Sequence, residues 1–76
     1  MEDLTTLDRL PVGRRATVAA LATPGGQRRR MLELGFVPGA AVTPVQESPW
    51  GDPVAYSVCG AVIALRREDA KRITLV

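Results

Sequence analysis

Histidine is absent from this 76-residue chain, and Cys59 is its one cysteine. A lone thiol cannot form a disulfide within the chain, and zinc or iron–sulfur sites usually require several Cys or His ligands. Without imidazole, a Ser-His or Cys-His nucleophile and a histidine general base are also excluded. We therefore predict a protein that is not an enzyme and that holds no cofactor and no metal of its own.

Long apolar stretches are also lacking. The longest uninterrupted runs, residues 18–22 and 61–65, contain five residues each, whereas a helix that spans a bilayer needs about 20. The first ten residues include three acidic side chains and no apolar segment of the kind found in signal peptides. A free thiol without an export signal predicts a cytoplasmic protein.

A strong charge of either sign is missing as well. Ten basic and eight acidic residues give a net charge of +2, which is too small to indicate a dedicated nucleic-acid-binding protein. Nine of the ten basic residues are arginine, a weak indication of a surface that recognises carboxylates or phosphates. With 46% hydrophobic residues, the chain has the composition of a globular protein, and its length allows one core. We expect residues 1–76 to form a single domain.

Proline and glycine are plentiful and divide the chain into short segments. Six prolines and seven glycines leave stretches of the length that strands prefer. The pattern predicts a mainly β fold, a small closed or nearly closed barrel of about five strands with one α-helix inserted after the first main strand. The expected elements are an opening turn over 6–13, strands over 15–21, 41–47, 54–58, 61–65 and 72–76, a helix over 24–34, and one helical turn over 67–71.

The helix has recognisable ends. Thr23 followed by Pro24 predicts an N-cap and a first helical residue, and Gly35 is placed for a left-handed C-terminal cap. Arg28 falls in the middle of the apolar side of this helix. Its stem is expected to lie on the core while its guanidinium reaches a carbonyl or a carboxylate at the rim.

Turn signals follow the helix. Pro38-Gly39 is a favoured central pair for a type II turn, and Pro44 must lie at a sheet edge or a bulge because it has no N–H to donate. Residues 48–53 form a turn-rich loop that includes Gly51 and Asp52. Cys59-Gly60 predicts the turn of a hairpin, in which Cys59 would serve as a small filler.

Four runs, taken in order, resemble the FeoA family (ferrous iron transport protein A). They are Leu-Pro-Val-Gly at 10–13, the stretch from Arg28 to Gly39, Trp-Gly-Asp-Pro at 50–53, and Ala-Leu-Arg at 64–66. The resemblance extends from about Leu7 to Val76. The most specific run is the second, which combines the helix, its glycine cap and the Pro-Gly turn.

The resemblance implies an SH3-like β-barrel and a role in ferrous iron uptake. Members of the family are small cytosolic proteins that accompany the FeoB membrane transporter and are thought to act on its cytosolic GTP-binding part. The same barrel forms the last domain of metal-dependent repressors of the diphtheria toxin repressor type. No winged-helix DNA-binding domain stands before it in this chain, so a free-standing repressor is not expected.

Two features are candidates for contact with such a partner. Arg29, Arg30 and Glu33 share the outer face of the helix, which is either a solvated surface or a docking surface for an acidic patch. Trp50 lies in the loop over 48–53, where it is either a lid folded onto the barrel end or an exposed anchor. A weak homo-oligomer would also be compatible with these surfaces.

A cation site and nucleic-acid binding are the remaining alternatives. Glu47 and Asp52 flank the loop, but two carboxylates do not supply the roughly six oxygens that a hard cation requires. Nucleic-acid-binding barrels need two or more exposed aromatic residues for stacking, and only Tyr56 and Trp50 are available. We therefore favour a protein-interaction module that docks on a FeoB-type transporter over a nucleic-acid-binding barrel or a free-standing regulatory domain related to the repressors.

Overall fold

The computed structural model describes residues 5–76, which form a curled antiparallel sheet with one long helix. The strands are β1 (Thr5–Thr6), β2 (Ala16–Leu21), β3 (Ala41–Glu47), β4 (Val54–Val58), β5 (Ala61–Leu65) and β6 (Ile73–Leu75). The helices are α1 (Gly25–Leu34) and the single turn α2 (Arg67–Ala70), and a 3-10 turn covers Leu7–Arg9. The strand order across the sheet is β1-β6-β2-β3-β4-β5.

The mainly β class, the five main strands and the position of the helix are as predicted, and the structure adds one short strand. The opening segment contains a two-residue strand, β1, which pairs with β6. The last strand is shorter than predicted at both ends, because β6 leaves out Arg72 and Val76. The Arg72 N–H donates instead to the Asp69 carbonyl at 3.2 Å. Two residues are too few to show a period-2 pattern, so β1 could not be predicted from the sequence.

The start of α1 differs by one residue from the prediction. Pro24, not Thr23, is the N-cap residue, and its carbonyl accepts the first helical bond from the Arg28 N–H at 3.3 Å. No side chain caps this end. Because the N-cap position is defined by backbone geometry, a favourable hydroxyl one residue earlier does not fix it.

Pro44 shows how the sheet accommodates a residue without an N–H. It is buried in β3, and the pairing of β3 with β4 shifts register between Pro44 and Gln46. The Pro44 carbonyl accepts a bond from the Gly13 N–H at 2.8 Å. Of the two predicted positions, a sheet edge or a bulge, the register shift corresponds to the bulge.

One apolar cluster fills the curled sheet and is closed on one side by α1. Phe36, expected in the core, is fully buried there. Tyr56 is also buried, at 1% exposure, so the assumption that its ring is free for stacking was wrong. Burial of side chains this size contributes about 1.5–3 kcal/mol each. The cluster comprises Leu7, Val18, Leu21, Met31, Phe36, Val42, Val54, Tyr56, Val58, Leu65, Ala70, Ile73 and Leu75.

Candidate docking surface

Trp50 is almost entirely in solvent. Its side chain is the most exposed of the large apolar residues in the described part of the chain, at 89%. A lid folded onto the barrel would bury most of the indole, so this alternative does not agree with the structure. A single large aromatic held outside the core is the kind of residue that contributes strongly when a partner covers it.

Backbone hydrogen bonds hold the loop that carries Trp50. The Gly51 N–H donates to the Ser48 carbonyl at 2.8 Å, which closes a turn with Trp50 in its third position. Gly51 has φ +82°, a value that residues with a Cβ rarely adopt. The Ser48 N–H donates to the Pro53 carbonyl at 3.2 Å and closes the base of the loop.

Arg67 fixes this loop to the rest of the barrel. Its Nε donates to the Gly51 carbonyl at 2.7 Å, and its Nη2 lies 3.3 Å from Glu47 Oε2. Its backbone N–H donates to Asp52 Oδ1 at 3.0 Å, and its Nη1 donates to the Asp8 carbonyl at 3.0 Å. Charged donors make the stronger class of hydrogen bond. One side chain therefore holds both sides of the Trp50 loop.

The same arginine links the segments that follow the two edge strands. Asp8 lies two residues after the end of β1 and Arg67 lies two residues after the end of β5, and these strands are the opposite ends of the sheet order. The bond from Arg67 to the Asp8 carbonyl therefore connects the two ends of the sheet beyond the strands themselves and leaves the outer side of β5 unpaired. Sequence reasoning missed Arg67, since it is one of nine arginines and its partners lie 15 to 59 residues away.

Glu47 and Asp52, the two carboxylates that flank the loop, both contact Arg67. Both carboxylates accept from Arg67, one from its guanidinium and one from its backbone N–H. The guanidinium neutralises the charge that a metal ion would otherwise meet. Within residues 5–76, no three Cys, Asp or Glu side chains lie together as metal ligands would.

Tyr56 lines a cleft of about 190 Å³ beside Arg67. Burial raises the pKa of its phenol above 10.0, and the nearby carboxylates of Asp8, Asp52 and Glu47 act in the same direction against the opposing charge of Arg67. The phenol therefore stays neutral at physiological pH. It contributes packing here and no acid–base chemistry.

The outer face of α1 is exposed as expected. Arg29 and Glu33 form an i,i+4 pair with Nε and Oε2 4.0 Å apart, and their side chains are 84% and 72% exposed. Such a pair contributes little to stability. Arg30 lies on the rim of a second cleft, between α1 and β5. The three side chains of this face therefore remain available to a partner.

Arg28 behaves differently from its neighbours. Its Nη1 donates to the Leu21 carbonyl at 2.7 Å, at the end of β2. This is the predicted contact with a carbonyl at the rim of the core. Arg28 therefore ties the helix to the sheet and belongs to the scaffold.

The turn after α1 is also as predicted. Gly35 has φ +112° and caps the helix, while the Phe36 N–H donates to the Met31 carbonyl at 3.0 Å. Gly39 has φ +95°, and the bond from the Ala40 N–H to the Val37 carbonyl closes the turn over Pro38-Gly39.

Cys59 is exposed at the hairpin turn rather than buried as a filler, with Sγ 3.5 Å from the Gly35 carbonyl.

These features define a small SH3-like barrel with two exposed candidate contact surfaces, the loop that carries Trp50 and the outer face of α1. The FeoA domain model matches residues 5–76. The chain belongs to the FeoA family.

Individual relatives agree with this assignment. The chain is 42% identical over 67 residues to the Fe(2+) transport protein A/Fe(2+) transporter FeoB fusion protein of Porphyromonas gingivalis, covering 88% of this chain and 8% of that protein. It thus spans only a small part of the fusion protein.

Solved structures give the same result. The FeoA protein of Chlorobium tepidum superimposes with a TM-score of 0.88 at 35% identity, covering 93% of this chain and 68% of that one. The FeoA of Stenotrophomonas maltophilia, an SH3 domain protein solved with zinc, gives 0.82 at 34% identity, covering 95% and 89%. No helix within residues 5–76 has the length and apolar character needed to cross a bilayer.

Proposed function

We propose that this chain is a non-catalytic, cytoplasmic accessory of ferrous iron transport that docks on the cytosolic GTP-binding region of a FeoB-type transporter. The observation that carries the proposal is Trp50, 89% exposed on a loop that Arg67 braces from both sides. A rigid, exposed aromatic loses little entropy on binding, which favours its use as an anchor. The Porphyromonas gingivalis relative, in which the two functions share one polypeptide, supports the choice of partner.

In this proposal the chain has no catalytic groups, so it alters the transporter by binding one of the transporter's conformations more tightly than another. It shifts the transporter toward whichever conformation it binds better, and only by the difference between the two affinities. In this proposal, Trp50 supplies the affinity. Arg29 and Arg30 supply electrostatic attraction to an acidic patch, which acts mainly on the rate of association.

The nucleic-acid alternative has less support. Tyr56 is in the core, so Trp50 is the one exposed aromatic among the three in the chain. Stacking platforms for single strands require several aromatics along a basic groove. A single exposed indole is better suited to one pocket on a protein surface.

Calorimetry with the purified cytosolic region of a FeoB-type transporter tests the proposal. The Trp50→Ala variant should bind about 1–3 kcal/mol more weakly than the parent chain. Val37→Ala, which shortens an exposed apolar side chain in the turn after α1, is the matched control and should bind like the parent. Circular dichroism checks that each variant is folded.

Charge reversal at Arg29 and Arg30 tests the electrostatic contribution separately. Association should slow and become less sensitive to salt, with little change in the dissociation rate. If the parent chain does not bind the cytosolic region at all, the proposed partner is wrong. If it binds but both variants match it, the docking surface lies elsewhere on the barrel.

A further inference from the structure

Strand β5 ends the sheet with an unpaired side. It pairs with β4 along its whole length, and no other strand within residues 5–76 pairs with its outer side. The opposite end of the sheet is the two-residue strand β1. The five residues of β5 are therefore the one long free edge of the described sheet.

The hairpin turn determines which backbone groups of β5 point outward. Cys59 and Gly60 both have positive φ, +49° and +79°, as in a type I′ turn. Such a turn makes Val58 and Ala61 a hydrogen-bonded pair, and the pairs then alternate along the ladder. Ala61, Ile63 and Leu65 therefore bond to β4, whereas Val62 and Ala64 direct their N–H and C=O groups away from it.

This edge lacks the features that usually prevent strand addition. Proteins protect long edges with charged side chains, proline, bulges or a covering element. The sequence of β5, Ala61–Leu65, contains no charge and no proline, and its register with β4 is regular. The Val62 side chain is 65% exposed. A bare apolar edge of this kind is the usual template for an added strand.

A cleft of about 370 Å³ lies next to this edge, between β5 and the two helices. Its apolar lining includes Leu34 of α1 and Ile63 of β5. Arg30 and Arg66 also line it, and neither forms an ion pair with another described residue. Asp69 is the one acidic residue of the lining, so the cleft carries a net positive charge.

We propose that β5 receives an extended segment of the partner as an additional strand. The segment places an apolar side chain in the cleft and a carboxylate on Arg30 and Arg66. This inference rests on the proposed function and specifies how the partner is recognised. A second copy fits less well, because its own β5 edge continues into Arg66 and offers these arginines no carboxylate.

Backbone substitution in the edge tests strand addition. Val62→Pro removes an N–H that makes no bond within the barrel, so the fold should persist, while one bond to the added strand is lost. Binding to the purified transporter cytosolic region should weaken about tenfold. Val62→Ala keeps the N–H and should weaken binding less than about threefold. Ala64→Pro tests the same point if Val62→Pro fails to fold.

Amide exchange gives a readout that needs no substitution. In the free chain, the Val62 and Ala64 amides should exchange quickly, while those of Ala61, Ile63 and Leu65 are protected by β4. Addition of the transporter cytosolic region should protect Val62 and Ala64. If the Val62 and Ala64 amides are protected in the free chain, and if this protection grows with protein concentration, the edge pairs with a second copy. That result would overturn the proposal.

The carboxylate is tested by charge reversal. Arg66→Glu should weaken binding more than Arg72→Glu, which makes the same change in net charge away from the cleft. Equal effects of the two would contradict a carboxylate on Arg66.

If the parent binds while Val62→Pro and Val62→Ala bind alike and the amides stay unprotected, this inference fails and the proposed function stands. If the parent does not bind, the proposed function itself fails.

Discussion

Gly35 shows how much of a single residue's role a sequence can reveal. Its position after an amphipathic run predicts a helix cap, and its φ of +112° confirms that role. A second constraint comes from the hairpin turn 24 residues later: a Cβ on Gly35 would lie 3.1 Å from both Cβ and Sγ of Cys59. Local sequence patterns carry no information about such a tertiary contact.

The two constraints can be separated by comparing two glycines. Gly39 also has a positive φ, +95°, but a Cβ there would meet nothing within 4 Å. Gly39→Ala should therefore cost only the backbone strain, about 1–2 kcal/mol. Gly35→Ala should cost clearly more, because the strain and the contact with Cys59 add. Equal losses in chemical denaturation would show that the hairpin turn moves aside without cost.

Tyr56 makes a second prediction at this scale. Its pKa is raised by burial, so the folded chain retains the phenolic proton at a pH where the unfolded chain has lost it. This contribution to stability is complete below pH 10 and is lost as the pH rises through the folded pKa. Because Tyr56 is the only tyrosine, absorbance at 295 nm should give a midpoint above 10. A midpoint at or below 10 would show that the ring is accessible.

Between elements, sequence patterns gave the order and type of the main segments but not their mutual contacts. Proline and glycine positions located α1, the hairpin and the bulge at Pro44, because each of these depends on local backbone constraints. The arrangement around Arg67 was not predictable, since it joins the end of β3, the Trp50 loop and the segment after β1. The exposure of Trp50 was not predictable either, because a tryptophan in a loop is compatible both with a lid on the barrel and with an exposed anchor.

Arg67 should therefore stabilise the Trp50 loop more than it stabilises α2, the helical turn to which Arg67 belongs. Arg67→Lys removes the guanidinium group, whose nitrogens contact the Gly51 carbonyl, the Glu47 carboxylate and the Asp8 carbonyl together. Because the ion pair with Glu47 is nearly half exposed, we expect a loss of only about 1–2 kcal/mol. Trp50 is the only tryptophan, so its fluorescence anisotropy should fall. Arg66→Lys is the control, and an equal fall there would refute the bracing role.

For the whole molecule, the sequence predicted the class of fold, and the absence of histidine predicted that the chain holds no metal of its own. After dialysis against a mild chelator, elemental analysis should find well under one iron or zinc per chain. A tightly bound metal in stoichiometric amount would contradict this prediction. Half an equivalent per chain would instead indicate ligands shared between two copies.

In the proposed complex, Trp50 enters a pocket on the cytosolic region of a FeoB-type transporter. Labelling the chain with 5-fluorotryptophan places one fluorine, at Trp50, and its ¹⁹F resonance can be followed while the unlabelled cytosolic region is added. If Trp50 is the anchor, the resonance should shift, and its solvent-isotope effect, that of an exposed indole, should disappear as the complex forms. A resonance that keeps its position and its isotope effect, in a sample whose line width shows that binding has occurred, would show that Trp50 does not enter the interface.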